Sequence, residues 1–167
     1  MEVKSENPAK YDVYVDNTFG IEKQEEILYM AKAILEKRFR TTKEFFKNPS
    51  QVKQFLTLKL AELEYEVFSV MFLDNRHRLI KYEQMFRGTI DGASVYQREI
   101  VKRALELNSA AIIISHNHPS GNPTPSFEDE ILTNRIKEAC NLLEIRLLDH
   151  IVVGKEGAVS LAEGGKV

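Results

Sequence analysis

The run Ala110-Ala-Ile-Ile-Ile-Ser115 constrains this chain more than any other stretch. It is apolar almost without interruption, which predicts a central strand covered on both faces. It ends in His116-Asn117-His118, and Pro119, Gly121, Pro123 and Pro125 then mark a loop over residues 119–125. Three prolines predict a rigid rim there, not a moving lid. Ser126-x-x-Asp129 opens a predicted helix over 126–143 with Leu132, Ile136, Ala139, Cys140 and Leu143 on one stripe. Arg146–Val153 predicts a further strand.

The remaining segments supply the layers that such a strand needs. Ile27, Leu28, Ala31, Ile34 and Leu35 recur at helical spacing over 23–38. Asn48-Pro49 is a good helix start, and Val52, Phe55, Leu56, Leu58 and Leu63 follow it. The period then changes. Glu66–Leu73 (EVFSVMFL) is β-branched and aromatic and predicts a buried strand. Asp74-Asn75-Arg76-His77 is turn material, and Arg78–Thr89 predicts the partner strand of a hairpin. Ser94 is the expected cap of a helix over 95–107 that turns Ile100, Val101, Ala104 and Leu105 inward. The sum is an α/β fold, a mixed β-sheet flanked by helices. Residues 1–20 are polar and predict an arm, with YDVYV at 11–15 as a loosely attached strand. The chain therefore divides into an N-terminal arm and helix over 1–45 and a domain over 46–167.

Composition narrows the function classes. A chain of 167 residues buries a real core without staples. Its single cysteine, Cys140, excludes an intramolecular disulfide framework, lies on an apolar stripe and reads as packing. The start, MEVKSENPAK, has no apolar signal region, and no apolar run approaches the about 18 residues of a membrane span. Cytoplasm is the expected compartment and no membrane partner is expected. A net charge of −2 does not support broad electrostatic binding of nucleic acid. Arg38, Arg40 and Lys43 cluster locally and read as a solvated surface.

The chemistry concentrates at 116–129. Alternate residues of a strand share a face, so His116 and His118 reach one ion if extended geometry continues through Asn117. Zinc accepts neutral imidazole and carboxylate oxygen, and a catalytic site keeps three protein ligands. Asp129 is the best third ligand, because the proline loop folds the next helix back toward the strand end. Ser126-x-x-Asp129 is also a capping-box pattern. The two roles are compatible, since a capped helix start holds both side chains rigidly. Glu66 shares strand parity with Phe68, Val70 and Phe72, and an inward ionisable group at a strand end calls for a reason. A wet strand edge is the bland alternative, and Glu62, Glu64 and Glu99 are its rivals. His150 competes with Asp129 as a ligand but is expected in the core or behind the ligands, while His77 is expected to be a solvated turn residue.

The stretch SHNHPSGNPTPSFED resembles the JAMM motif (also MPN+ or JAB) of zinc metalloproteases, with His-x-His, then Ser and Asp at fixed spacing. Within that superfamily the chain is most similar to the RadC group, through EVFSVMFLDNRHRLI, FRGTIDGASVYQREIVKRALELN, HNHPSGNPTPSFED and LLDHIVVG, over about 50–160. The resemblance implies a cytidine-deaminase-like (JAB/MPN) α/β core. It implies that His116, His118 and Asp129 hold one Zn2+ per chain beside a water molecule. It implies Glu66 as general acid/base and Ser126 as a hydrogen-bond donor to the oxyanion. The implied activity is hydrolysis of a peptide or isopeptide bond in a protein or peptide substrate.

The resemblance has two departures. Residues 1–48 contain only Gly20, so the helix–hairpin–helix region of longer RadC proteins is not expected, as in the short RadC-like versions of mobile elements and prophages. Asn117 stands where most JAMM enzymes have Ser or Thr, as it does in the RadC group. Two other readings compete with the hydrolase. One is a binding module that keeps the fold without turnover. The other is an accessory factor in DNA repair or recombination that acts through protein partners.

Overall fold

The change of period near Glu66 falls where the sheet begins. The computed structural model describes residues 20–41, 49–88 and 94–167. Among the described residues two helices come first, α1 over Ile21–Thr41 and α2 over Pro49–Leu60. A hairpin of β1 (Val67–Leu73) and β2 (Leu79–Arg87) follows, then α3 (Gln97–Glu106), β3 (Ala111–Asn117), α4 (Phe127–Asn141), β4 (Arg146–Gly154) and β5 (Gly157–Ser160). The five strands form one mixed sheet in the order β2-β1-β3-β4-β5. Only the β3–β4 pair is parallel, joined by α4, as a strand–helix–strand crossover requires. The expected α/β class, a mixed sheet flanked by helices, is what the chain forms.

Both central strands, β1 and β3, are buried along their whole length. Their side chains alternate between two cores. Val67, Met71, Leu73, Ala111 and Ile113 face α2 with Val52, Phe55, Leu56 and Leu60. Phe68, Val70, Phe72, Ile112 and Ile114 face α3 and α4 with Ile100, Ala104, Ile136 and Cys140. His116 continues the second set, so it enters the layer between sheet and α4. Arg103 of α3 forks onto Glu83 of β2 at 2.7 and 2.8 Å and ties that layer to the sheet edge.

Several expectations shift. Helix α2 stops at Leu60, so Leu63 lies in the connection beyond it. Ser94 does not cap α3, which starts after Tyr96 with no side-chain cap. In α3 only Ile100 and Ala104 are buried, while Leu105 is 54% exposed. One turn separates 100 from 104, whereas 105 lies about 140° round from 100. Helix α4 stops at Asn141, and Leu143 is exposed past its end. His77 is not a freely solvated turn residue, since its Nε2 is buried without a partner. The terminal strand β5 is not signalled by any sequence pattern noted above. The strand expected at 11–15, the Asn48 cap and Thr89 at the end of the expected partner strand lie outside the described residues. No helix among the described residues is long and apolar enough to cross a membrane.

An irregularity in β4 decides where His150 points. In the β3–β4 ladder Ile112 pairs with Leu147, but Ile113 pairs with Asp149. One extra residue, Leu148, reverses the alternation of β4 and turns toward α2. His150 then stands beside Ile114, on the face that His116 shares.

Candidate metal centre

Strand β3 runs through Asn117, so His116 lies within the ladder and His118 just past it. The His118 amide donates to the Val153 carbonyl at 2.8 Å, which carries the pairing with β4 one residue further. The chain then turns. Gly121 donates to the His118 carbonyl at 2.9 Å, and Glu156 donates back to the Gly121 carbonyl at 3.2 Å. Gly154 makes this docking feasible, because a Cβ there would lie 2.1 Å from the Gly121 carbonyl oxygen. The loop thus returns the chain to the sheet end as helix α4.

Ser126 caps that helix through a reciprocal capping box with Asp129. The Ser126 hydroxyl accepts from the Asp129 amide at 3.1 Å and donates to Asp129 Oδ2 at 2.8 Å. The Ser126 amide also donates to Oδ2, at 2.7 Å. The Asp129 carboxylate is fixed by these bonds and faces both imidazoles. His116 Nε2 lies 3.2 Å from Oδ1, and His118 Nε2 lies 3.5 Å from Oδ2. The two Nε2 atoms are 3.0 Å apart. The three side chains form one cluster able to hold a metal ion.

The hydrogen bonds behind the rings decide which nitrogens are bare. The Thr133 hydroxyl donates its one hydrogen to the Asp129 carbonyl at 2.6 Å. It must therefore accept from His150 Nδ1, which lies 2.6 Å away. His150 is fully buried, and burial holds its pKa well below the ordinary histidine value, so its ring is neutral. With the hydrogen on Nδ1, His150 Nε2 can only accept, and His116 Nδ1 must donate to it across 2.8 Å. A neutral His116 then has a bare Nε2. On the other ring, Nδ1 donates to the Asn122 carbonyl at 2.9 Å, which leaves Nε2 bare when the His118 ring is neutral.

With both rings neutral, two imidazole lone pairs and a carboxylate converge with no hydrogen between them. Zinc–ligand bonds of about 2.0–2.1 Å imply tetrahedral edges of about 3.3–3.4 Å. The two imidazole nitrogens stand 3.0 Å apart, near that value, and one ligand atom from each of the three residues lies within 4.8 Å of the others. Burial opposes ionisation of Asp129, but whenever a ring also carries a proton on Nε2 it donates to the carboxylate, and these hydrogen bonds from His116 and His118 hold the carboxyl well below the usual range. The hydrogen bond to Asp129 raises the His118 pKa against burial, with the Asn122 carbonyl and the charges of Asp129 and Glu66 adding to the rise.

Residues 46–166 match the family profile described as the RadC-like JAB domain. The chain belongs to that family. This RadC-like JAB domain is 51% identical to the UPF0758 protein of Vibrio cholerae over 139 residues, 83% of this chain and 87% of that one. It is 55% identical to the UPF0758 protein of Leptothrix cholodnii over 120 residues, 72% of this chain and 54% of that one. With the UPF0758 protein of Marinobacter nauticus it shares 50% identity over 136 residues, 81% and 60% of the two chains. The chain therefore spans most of the Vibrio protein but only 54% and 60% of the other two.

Glu66 is half-buried and lies one residue before β1. Phe68 pairs with His116, so continuing the register sets Glu66 opposite His118. Its charge reaches that imidazole. Glu62, Glu64 and Glu99 are exposed. Ser126 stands beside Asp129, but its hydroxyl hydrogen points at Oδ2 and not into open space. His150 is not a third ligand in this RadC-like JAB domain: both its nitrogens are engaged, one on His116 and one on Thr133. No sequence motif marks Thr133. Its position one turn after Asp129 on the same helix was the available signal.

Proposed function

We propose that this RadC-like JAB domain is a zinc-dependent metallohydrolase that cleaves a peptide or isopeptide bond in a protein or peptide substrate. The observation that carries the reading is the convergence of His116 Nε2, His118 Nε2 and the Asp129 carboxylate, one ligand atom of each lying within 4.8 Å of the others. These three residues would hold one Zn2+ per chain. Zinc bound there supplies the positive charge that makes water an effective nucleophile near neutral pH.

The chain's own residues supply the rest. Glu66, on the same sheet face and within electrostatic reach of His118, accepts the proton of the attacking water and returns it to the leaving nitrogen. The His116–His150–Thr133 series keeps His116 in the tautomer with a bare Nε2. Ser126 has two tasks. Its backbone amide and hydroxyl orient Asp129. As substrate binds, the hydroxyl turns from Oδ2 to the developing oxyanion, a donation worth on the order of a few kcal/mol.

The test compares zinc-loaded native protein with zinc-loaded Glu66→Gln on bacterial protein extracts, reading new peptide termini and released isopeptide remnants by mass spectrometry. The reading expects cleavage products from the native protein that the variant does not generate. Zinc-loaded native protein that generates none would favour the binding module. Equal cleavage by Glu66→Gln would remove Glu66 from its role.

A further inference from the structure

We propose that Asn117, the residue between the two histidines, positions Glu66. It ties the strand that carries the ligands to the segment that carries the proton acceptor. The inference rests on the role of Glu66 as proton acceptor.

The backbone ladder between β1 and β3 has its last pair at Phe68 and His116. One step further would set Val67 against Asn117, and there the side chain takes over from the backbone. Asn117 Oδ1 accepts from the Val67 amide at 2.8 Å. Its Nδ2 donates to the Tyr65 carbonyl at 3.0 Å and to the Leu63 carbonyl at 3.3 Å. Both amide hydrogens and one oxygen lone pair are used, and the residue is 1% exposed. Tyr65 and Val67 are the two neighbours of Glu66, so the contacts grip the chain on either side of it. From the β2 side the Gly88 amide donates to the Glu66 carbonyl at 2.9 Å. The backbone of Glu66 is therefore fixed from both neighbouring strands.

Asparagine suits this position for a simple reason. The task needs one acceptor and two donors in a plane at one reach from the backbone. Aspartate has no donors, and serine is too short to reach a carbonyl on one side and an amide on the other. Asn117 also points away from the ligands. It shares parity with Ser115 and Ile113, whose set faces α2, while His116 faces Asp129 of α4. A proton acceptor must be held close to its working position, and misplacement by about 1 Å can cost about 100-fold in rate. On the β3 side Glu66 lies beyond the last pair of the ladder, so there the hold comes from Asn117.

The test uses the full chain loaded with cobalt(II) and labelled with carboxyl-13C glutamate. The Glu66 signal is identified by its loss in Glu66→Gln. A paramagnetic ion broadens nearby nuclei, steeply with distance, so the signal measures how closely the carboxylate is held to the metal. Native protein is expected to show a strongly broadened Glu66 signal. Asn117→Ser and Asn117→Ala are expected to bind one cobalt per chain with an unchanged visible spectrum, while the broadening at Glu66 falls several-fold. Asn117→Ser decides if the alanine variant does not fold. Unchanged broadening in the metal-bound variants would overturn the proposal. So would loss of cobalt binding, since Asn117 would then act on the ligands. An unbroadened Glu66 in the native protein would instead defeat the role assigned to Glu66, and the proposal with it.

Discussion

His116 Nδ1 lies 2.8 Å from His150 Nε2, and the direction of that bond is set two residues away, at Thr133. Thr133 donates to the Asp129 carbonyl, so the series starts and ends on proposed ligands of the same ion. Such partners of a ligating histidine typically carry about 10–100-fold in metal affinity. His150→Phe keeps the bulk but removes the acceptor, and is expected to weaken zinc by that range in a chelator competition. His150→Gln can still accept from His116 and should recover part of the loss. Native affinity in His150→Phe would mean that His116 needs no help to hold its tautomer.

Zinc binding should depend on pH through His118. Its pKa is raised, first by the hydrogen bond to Asp129, so it holds its proton to higher pH than an ordinary histidine. A protonated imidazole is no ligand, and protons compete with the metal. Zinc affinity should therefore fall as pH drops through this raised value. Asp129, held well below the usual carboxylate range, stays ionised throughout. Zinc affinity that stays flat between neutral pH and pH 5 would contradict this order of titration.

Gly154→Ala tests whether the proline loop holds His118. The added Cβ would meet the Gly121 carbonyl oxygen at 2.1 Å and the Pro123 nitrogen at 2.9 Å. Neither backbone atom can yield unless the loop moves. The Asn122 carbonyl, which accepts from His118 Nδ1, moves with it. Overpacking of this kind costs about 1–3 kcal/mol. The variant should melt lower and bind zinc more weakly. A variant as stable as the native chain, with the same zinc affinity, would show the loop to be more yielding than its packing suggests.

Away from the centre, Glu83 predicts a feature of acid unfolding. The Arg103 hydrogen bond lowers its pKa from 4.5 to about 2, against some burial, with Lys81 helping. A carboxylate whose folded pKa is depressed stabilises the fold above its unfolded pKa. That contribution is lost as pH falls from 4.5 toward about 2. Native protein and Glu83→Gln should differ in melting temperature at pH 6 and converge near pH 2. A difference that persists unchanged at low pH would mean that Glu83 acts through packing and not through its charge.

The elements around the centre differ in how far the sequence alone exposes them. The apolar run before His116 marked a central strand, and Ser126-x-x-Asp129 marked a helix start. Both are local patterns, dictated by residues within one turn or one strand. His150 was placed behind the ligands, but its bonds to His116 and Thr133 were not foreseen, because they depend on the extra residue at Leu148 that turns it. Nothing in the sequence around Asn117 marks what its side chain holds. Its partners lie at 63, 65 and 67, about fifty residues away in sequence. Ser94 looked like a cap, yet α3 starts two residues later with no side-chain cap. Capping preference is worth about 1 kcal/mol and yields to the packing of Ile100 and Ala104 on the sheet.

The central claim is that His116, His118 and Asp129 hold one zinc ion. Zinc per chain, measured on purified protein beside Asp129→Ala, tests it most directly. About one zinc per native chain is expected, lost in the variant with the fold retained. A native chain that takes up no zinc even when zinc is supplied, or an Asp129→Ala variant that holds it as tightly, would contradict it.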